Sequence, residues 1–287
     1  MSKAKTPAKS APEVPKFIIY TAGFLEKISS RAAVLFAAKL FTRPIKHKIP
    51  RREYDMDKNS TQSTLLVPEI NKSIVVYELG KSSKKVLLVH GWSGRGTQLF
   101  KIAETLVENG YSVVSFDAPG HGKAAGNSSI MLEFIASIKE IDLKFGPFEA
   151  AVGHSLGGMA LFNAMKDGFK INHLVTIGSG DVVKDIIDDF IVKIKLKKST
   201  GTLMSEYFEK KYHKTMDSFS AYLSAQQVTV PVLVIHDEND DDVPVSAAHH
   251  IHKHLPNGTI YITKKLGHRK ILGDETVIAK TIDFIKN

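Results

Sequence analysis

The sequence contains no cysteine, and this absence excludes several classes of site at once. Without thiols the chain can form no disulfide, use no cysteine nucleophile and bind no cysteine-ligated zinc. It also has a single tryptophan, and no apolar run reaches the ~18 residues that a membrane-spanning helix needs. The first residues are basic, but no secretory apolar core with a cleavage site follows them. These features predict a cytoplasmic protein.

Acidic residues are fewer than basic ones, 30 against 39, so the formal net charge is +9. A positive charge can attract a protein to nucleic acid or to an anionic membrane. No nucleic-acid-binding motif is visible, so we expect no nucleic-acid partner. Binding to a membrane surface is an alternative that we do not favour. Hydrophobic residues make up 43% of the 287, which is enough for one large α/β domain.

Changes in composition divide the chain into three parts. Residues 1–16 are rich in lysine, alanine and proline and are predicted to form a disordered basic tail. Residues 17–60 contain a helical segment and a basic connector. Residues 61–287 alternate strand and helix signals, which predicts a mostly parallel sheet flanked by helices. Within them, residues 181–228 have helical periodicity and predict a small helical lid; an extra helical layer packed away from the site is the alternative.

The helical segment has apolar residues on one face. Phe17, Phe24, Ile28 and Leu35 share this face, and a break near Ser29 would divide the segment into two helices. Charged residues interrupt any run long enough to cross a bilayer. We therefore predict that the apolar face packs on the α/β domain rather than entering a membrane.

A Gly-His-Ser-Leu-Gly motif lies at residues 153–157, between an apolar stretch and a sequence compatible with a helix. This is the strand, turn and helix context in which a serine becomes a nucleophile. Gly153 and Gly157 would leave room for the strained turn that carries Ser155. Considered alone, the motif fits a glycine-rich turn with an incidental serine equally well. Three further segments, in the appropriate order, favour the nucleophile.

The first of these segments is a buried strand, residues 86–89, followed by a short turn that begins at His90 and Gly91. A loop in this position can direct a backbone N–H toward a substrate carbonyl oxygen. We predict that Trp92 and Leu156 supply two such donors, each typically worth ~3 kcal/mol of transition-state stabilisation.

The other two segments can supply an acid and a base. An apolar strand at residues 232–235 runs into a loop with four candidate carboxylates, namely Asp237, Asp240, Asp241 and Asp242. One of them would orient a catalytic imidazole and stabilise its cation. His268 follows the last predicted strand and is the candidate general base.

The order of serine, carboxylate and histidine, with the upstream His-Gly turn, resembles the α/β-hydrolase superfamily over about residues 64–287. The Asp-Ala-Pro-Gly-His-Gly sequence at residues 117–122 resembles a turn near the family's active site. In the family the acid commonly lies four residues before the proline of a Val-Pro pair, and this resemblance selects Asp240. The family usually has glycine where this chain has Asp237. Asp181 is the alternative acid, because some members place theirs after the preceding strand.

The resemblance implies a serine carboxylesterase that hydrolyses a small-molecule ester through an acyl-enzyme. Ser155, Asp240 and His268 would be catalytic, and no cofactor or metal is expected. The histidines at residues 249–254 lack an H-E-x-x-H motif and predict a solvated helix face. Two alternatives are a membrane-surface lipid hydrolase, similar to a lysophospholipase or acylglycerol lipase, and a non-catalytic binding protein of the same fold. The sequence does not define the oligomeric state.

Overall fold

The computed structural model describes residues 14–287, which contain an eight-stranded sheet with helices on both faces. The strands are β1 (Thr61–Val67), β2 (Lys72–Leu79), β3 (Lys85–Val89), β4 (Ser112–Asp117), β5 (Ala150–His154), β6 (His173–Ile177), β7 (Val232–Asp237) and β8 (Gly258–Thr263). Their order is β1-β2-β4-β3-β5-β6-β7-β8, in which β2 pairs antiparallel with both of its neighbours, β1 and β4, and all other neighbouring pairs are parallel. The predicted mostly parallel sheet is confirmed.

Helices connect the strands and cover the sheet. They are α1 (Lys16–Ile28), α2 (Ser30–Phe41), α3 (Tyr54–Asn59), α4 (Phe100–Glu108), α5 (Met131–Phe145), α6 (Leu156–Lys166), α7 (Val183–Lys193), α8 (Lys198–Tyr212), α9 (Ala221–Ala225), α10 (Ser246–His254), α11 (Gly267–Lys270) and α12 (Glu275–Lys286). Short 3₁₀ turns lie at Arg51–Glu53, Pro68–Ile70, Asp217–Phe219 and Ile271–Gly273. No helix within residues 14–287 is both long and apolar enough to cross a membrane.

The central strands are buried on both faces, which explains their continuous apolar sequences. One apolar core lies between the sheet and a group of helices that includes α2, α5 and α6. A second core lies on the other face, against α4 and α12. Because β3 and β5 to β8 are parallel, their carboxyl ends lie along the same edge of the sheet.

The N-terminal segment forms two helices separated by Ser29, which has extended backbone angles. Its side-chain oxygen accepts a hydrogen bond from Ala32 N at 3.3 Å and so caps α2. The tail predicted for residues 1–16 falls outside the described residues as far as residue 13, and α1 begins at Lys16.

The prediction that this segment packs on the α/β domain holds for α2, where Phe36 contacts the apolar core, and is wrong for four large apolar residues of the predicted face. Phe17, Phe24 and Ile28 are 70%, 63% and 65% exposed, and Leu35 is also exposed. The residues that α1 and α2 bury are mostly alanines, which let the backbones of neighbouring helices approach closely. α2 in turn packs on α8.

The long connection between β6 and β7 forms α7, α8 and α9. α7 packs on α8, and α9 packs on α6 and α10. These helices occupy the residues for which a lid is predicted; opening and closing of such a lid stays a prediction.

Candidate active site

Ser155 lies at the turn between β5 and α6, with φ 52° and ψ −121°. Such a backbone conformation is strained for a non-glycine residue and is typical of a nucleophile at the tip of a sharp strand-to-helix turn. A Cβ at Gly153 would lie 2.7 Å from the Gly158 nitrogen, and one at Gly157 would lie 2.7 Å from the His90 carbonyl oxygen. Both motif glycines are therefore required by close backbone packing.

The loops after β7 and β8 bring an acid and an imidazole together. His268 Nδ1 lies 2.7 Å from Asp240 Oδ2, and both side chains are almost completely buried. The other carboxylate oxygen of Asp240 accepts backbone hydrogen bonds from Asp242 at 2.9 Å and Val243 at 2.8 Å. Burial raises the pKa of Asp240, but the hydrogen bonds from His268 and the two amides outweigh it, and the net pKa is lowered. Asp240 is therefore ionised beside the imidazole.

Asp181, the alternative acid, has hydrogen-bond partners other than His268. Its carboxylate accepts a hydrogen bond from Tyr222 N at 2.9 Å and pairs with His250 Nδ1. Burial raises the pKa of Asp181. The predicted solvated face of α10 includes His249, which is exposed, whereas the partly exposed His250 also packs against Tyr222 and pairs with this carboxylate.

The turn after β3 approaches Ser155 closely. A Cβ at Gly91 would lie 2.9 Å from the Ser155 Cβ, so no side chain fits there. Trp92 follows in this turn, and Leu156 is the first residue of α6. Within residues 14–287, neither the Trp92 nor the Leu156 backbone amide donates a hydrogen bond to a protein group. Both amides are therefore available to an oxygen bound next to Ser155.

His90 holds this turn against the loop that follows β4. Its Nδ1 lies 2.7 Å from the Gly91 carbonyl oxygen, and its Nε2 accepts from Ala118 N at 3.1 Å. Asp117 adds a second link, because it accepts from Gly96 N at 2.6 Å. The Asp-Ala-Pro-Gly-His-Gly sequence thus positions the turn by hydrogen bonds.

A buried ion pair ties the same turn to the N-terminal connector. Arg95 donates to Glu53 at 2.9 Å, and Thr97 donates to the same carboxylate at 2.7 Å. The Ile45 amide also donates to Ser93 Oγ at 3.0 Å. The connector therefore braces the turn that carries Trp92.

Ser155 and His268 both line a cavity of about 420 Å³. Its other walls are mainly apolar and come from α2, α6, α7 and α8. They include Leu40, Phe41, Met159, Ile186, Phe190, Phe208 and Tyr212. The cavity is within the size range of small-molecule sites, and its lining favours an apolar ligand group beside the serine.

Many solved structures share this architecture. An esterase from Exiguobacterium antarcticum superposes with a TM-score of 0.64 at 16% identity, covering 79% of this chain and 100% of its own. An esterase from Pyrococcus furiosus has a TM-score of 0.64 at 16% identity, covering 85% of this chain and 97% of its own. A bromoperoxidase from Bacillus anthracis has a TM-score of 0.63 at 17% identity, covering 79% of this chain and 100% of its own.

The sequence model of the α/β hydrolase fold family matches residues 84–215, somewhat less than half of the chain. The chain is an α/β-hydrolase-fold protein. A search of curated proteins finds no significant sequence match. The shared architecture therefore identifies the fold, and the chemistry of this protein has to be argued from its own site.

Two histidines beside His268 in this α/β-hydrolase-fold protein were not predicted as site residues. His154, the second residue of the Gly-His-Ser-Leu-Gly motif, directs Nε2 to the His268 carbonyl oxygen at 2.9 Å. His236 donates to the Val243 carbonyl oxygen at 2.9 Å and lies 3.5 Å from Asp240 Oδ2. Both are buried and lie next to a predicted site residue or strand, which is the only sequence signal that marks them.

Asp237 is a third residue whose role the sequence did not predict. Its carboxylate accepts hydrogen bonds from Thr263 Oγ1 at 2.7 Å, from Leu266 N at 3.1 Å and from Gly267 N at 2.9 Å. Burial raises the pKa of Asp237, but these bonds outweigh it and the net pKa is lowered. Asp237 therefore anchors the segment that carries His268.

We expect Asp237→Asn to destabilise the protein and to lower kcat for an ester, although it replaces none of the predicted catalytic residues. The substitution replaces one carboxylate oxygen by an NH₂ group, which cannot accept hydrogen bonds from residues 263–267. A buried donor left without an acceptor costs about 1–3 kcal/mol. Urea unfolding and ester hydrolysis measure the two effects. Glu238→Gln is the matched control, since Glu238 is exposed and forms a surface ion pair with Lys264. Equal behaviour of the two variants would contradict the anchoring role.

We also expect the free energy of unfolding to fall on acidification below about pH 6.5. Burial lowers the pKa of His90 to about 4 and those of His121 and His154 to about 3. Each of these histidines stays neutral in the folded state while the unfolded chain takes up a proton near its ordinary pKa of about 6.5. Their stabilising contribution is complete above that pH and decreases by about 1.4 kcal/mol per pH unit and per histidine down to the folded pKa.

Urea unfolding at about pH 7 and about pH 5 tests this expectation. His121→Phe should make stability less dependent on pH, whereas exposed His249→Gln should leave the dependence unchanged. Equal unfolding free energies of the unmodified protein at the two pH values would contradict it.

Proposed function

We propose that this α/β-hydrolase cleaves carboxylic esters by acyl transfer to water, with Ser155 as nucleophile, His268 as general base and Asp240 as the acid that orients it. The observation that carries the proposal is the 2.7 Å contact of Asp240 with His268, in a cavity that Ser155 also lines. A serine, an imidazole and an ionised carboxylate are the groups that this chemistry requires.

The tautomer of His268 follows from its partner. Asp240 is ionised and can only accept, so His268 Nδ1 carries the proton in the bond between them. His268 Nε2 is then unprotonated and can take a proton. Within residues 14–287 no hydrogen bond joins Ser155 Oγ to His268. In this mechanism that bond forms when an ester fills the cavity, as catalytic hydrogen bonds often tighten only in the substrate complex.

In the first step Ser155 Oγ attacks the ester carbonyl carbon as its proton passes to His268 Nε2. Negative charge develops on the carbonyl oxygen, and the amides of Trp92 and Leu156 donate to it. Asp240 stabilises the imidazolium. The proton then moves from Nε2 to the departing alkoxide, and the alcohol leaves an acyl group on Ser155.

In the second step water replaces the alcohol. His268 takes a proton from the water, whose oxygen attacks the acyl carbon and forms a second oxyanion at the same amides. The intermediate collapses to a carboxylic acid, and Ser155 regains its proton from Nε2. No external cofactor takes part in this sequence.

The cavity lining supports an ester with an apolar acyl or alcohol group. Aromatic and aliphatic side chains of α2, α7 and α8 surround the space next to Ser155. The esterases from Exiguobacterium antarcticum and Pyrococcus furiosus share the fold, which is consistent with this function. The bromoperoxidase shares it equally well, so the local site rather than the fold supports the assignment.

A series of p-nitrophenyl esters with lengthening acyl chains tests the proposal. We expect kcat/KM to rise from the acetate through intermediate chain lengths, because each methylene buried in the apolar cavity contributes about 0.8 kcal/mol. Ser155→Ala measured in parallel corrects for spontaneous hydrolysis. The p-nitroanilide with the best acyl group separates ester from amide cleavage. The proposal would be overturned if the unmodified protein hydrolysed every ester no faster than Ser155→Ala does.

A further inference from the structure

We propose that four helices, α1, α2, α7 and α8, form a docking surface for anionic phospholipid bilayers. We name this surface the cap surface and define it by residues 16–41 and 183–212. The proposal reverses the preference drawn from the sequence, because the structure exposes side chains that were predicted to be buried. It concerns the exterior of these helices and does not depend on the proposed esterase chemistry.

A stripe of large apolar side chains runs along α1. Phe17, Tyr20, Phe24 and Ile28 follow one another at spacings of three and four residues, so they share one helix face. Each of them is at least 63% exposed. The opposite part of the helix is held by close packing on α2 through small residues such as Ala22. The stripe is thus an amphipathic helix face directed to the exterior.

Other exposed apolar residues continue on the neighbouring helices. Leu35 of α2, Val192 of α7 and Leu203 of α8 are between 38% and 60% exposed. α1 packs on α2, α2 on α8, and α8 on α7. Most of the large exposed apolar side chains of residues 14–287 therefore belong to one packed group of helices, and such concentration is typical of an interaction surface.

The same helices carry much of the positive charge. Residues 16–41 contain four lysines and arginines and one acidic residue, Glu26, and residues 183–212 contain seven lysines and five acidic residues, so the cap surface is net positive. Four of these lysines, Lys193, Lys195, Lys197 and Lys198, are exposed at the turn from α7 to α8. Glu26 accepts hydrogen bonds from Lys197 N at 2.9 Å and Thr200 Oγ1 at 2.6 Å. These contacts satisfy the carboxylate and place the lysine turn next to α1.

Apolar side chains beside cationic ones identify the partner by its chemistry. An interfacial helix inserts its apolar face at the boundary of the acyl chains, while flanking lysines bind anionic headgroups. A second copy of this chain would bring two positively charged surfaces together, which disfavours self-association through this face. Charge complementarity therefore favours an anionic bilayer.

The cap surface also shares helices with the cavity. Phe41 of α2, Phe190 of α7 and Phe208 of α8 point inward and line the space that contains Ser155. The outer faces of the same helices carry the apolar and basic residues described above. A bilayer bound to the cap surface would thus lie against the helices that enclose the cavity.

Sedimentation of the full chain with vesicles tests the proposal. We expect binding to vesicles of equal parts phosphatidylcholine and phosphatidylserine, weaker binding to pure phosphatidylcholine, and a decrease at high salt. Phe17→Ser with Phe24→Ser should weaken binding by about tenfold or more, since two aromatic side chains no longer enter the interface. The matched control is Leu66→Ser with Leu143→Ser, two exposed leucines outside the cap surface.

A second pair of variants tests the charges separately. Lys195→Glu with Lys198→Glu should also weaken binding by about tenfold or more, whereas Lys144→Glu with Lys280→Glu makes the same net change on α5 and α12 and should have little effect. Thermal unfolding checks that all variants remain folded. Failure of the unmodified chain to bind anionic vesicles would overturn the proposal. An equal loss of vesicle binding in a cap-surface double variant and in its matched control would also overturn it. A dimer that Phe17→Ser with Phe24→Ser converts to a monomer would identify a second copy as the occupant instead.

Discussion

Ser155→Ala should abolish covalent labelling by a fluorophosphonate and lower kcat for an ester by about 10⁴-fold or more. The reagent forms a bond with a serine oxygen only when a base removes its proton and donors stabilise the resulting oxyanion. Ser155 lies on a strained turn, and the backbone amides of Trp92 and Leu156 donate to no protein group among the described residues. The contact between Asp240 and His268 supplies the base of the proposed mechanism. Intact-protein mass spectrometry before and after labelling measures the effect.

Ser129→Ala is the matched control for this experiment. Ser129 is buried, lines the same cavity and has no hydrogen-bond partner for its hydroxyl among the described residues. It follows no strand-to-helix turn, so we expect normal labelling after its replacement. An adduct mapped to another serine would contradict the assignment of Ser155. Absence of any adduct on the folded, unmodified protein would instead favour a non-catalytic binding protein with this fold.

Asp240→Asn should also lower kcat by about 10⁴-fold while leaving the fold intact. The carboxylate accepts a hydrogen bond from His268 Nδ1–H, which keeps the proton on Nδ1 and leaves Nε2 free to act as a base. An asparagine amide presented to Nδ1 would favour the other tautomer, in which Nε2 carries the proton and cannot accept one from Ser155. The loss should therefore appear in kcat, with little change in unfolding.

Asp241→Asn is the control for Asp240→Asn, because it makes the same chemical change on the adjacent, exposed side chain. We expect it to retain nearly all activity. Asp181→Asn tests the alternative acid and should affect the contact with His250 rather than ester hydrolysis. Severe loss of kcat in Asp181→Asn, with Asp240→Asn nearly unaffected, would contradict the geometry proposed for the acid.

Local patterns in the sequence predicted much of the sheet and the position of Ser155. The strand at residues 150–154 and the helix that starts at residue 156 are encoded by an apolar run and by residues of high helix propensity. The turn between them needs glycines at positions that a side chain would block. These are interactions over a few residues, and a sequence pattern reports them directly.

The loop after β7 shows where such patterns become insufficient. Four aspartates lie within six residues, and their composition does not distinguish them. Asp237 turns toward residues 263–267 and Asp240 toward His268, because different backbone donors surround each carboxylate. Those donors come from both near and distant parts of the chain. The resemblance to the family selected Asp240, but the role of Asp237 became visible only in the folded chain.

The sequence by itself determined the mostly parallel sheet and the turn that carries Ser155, since apolar periodicity and glycine spacing are local properties, and its resemblance to the α/β-hydrolase superfamily implied the fold. Only the tertiary structure decided which carboxylate lies beside His268, which histidines are buried around it and which face of α1 is exposed. Phe17 and Phe24 have the pattern of a buried face, yet α1 packs on α2 through smaller residues. Burial depends on which surface meets the helix, and contacts between residues far apart in the sequence set that surface.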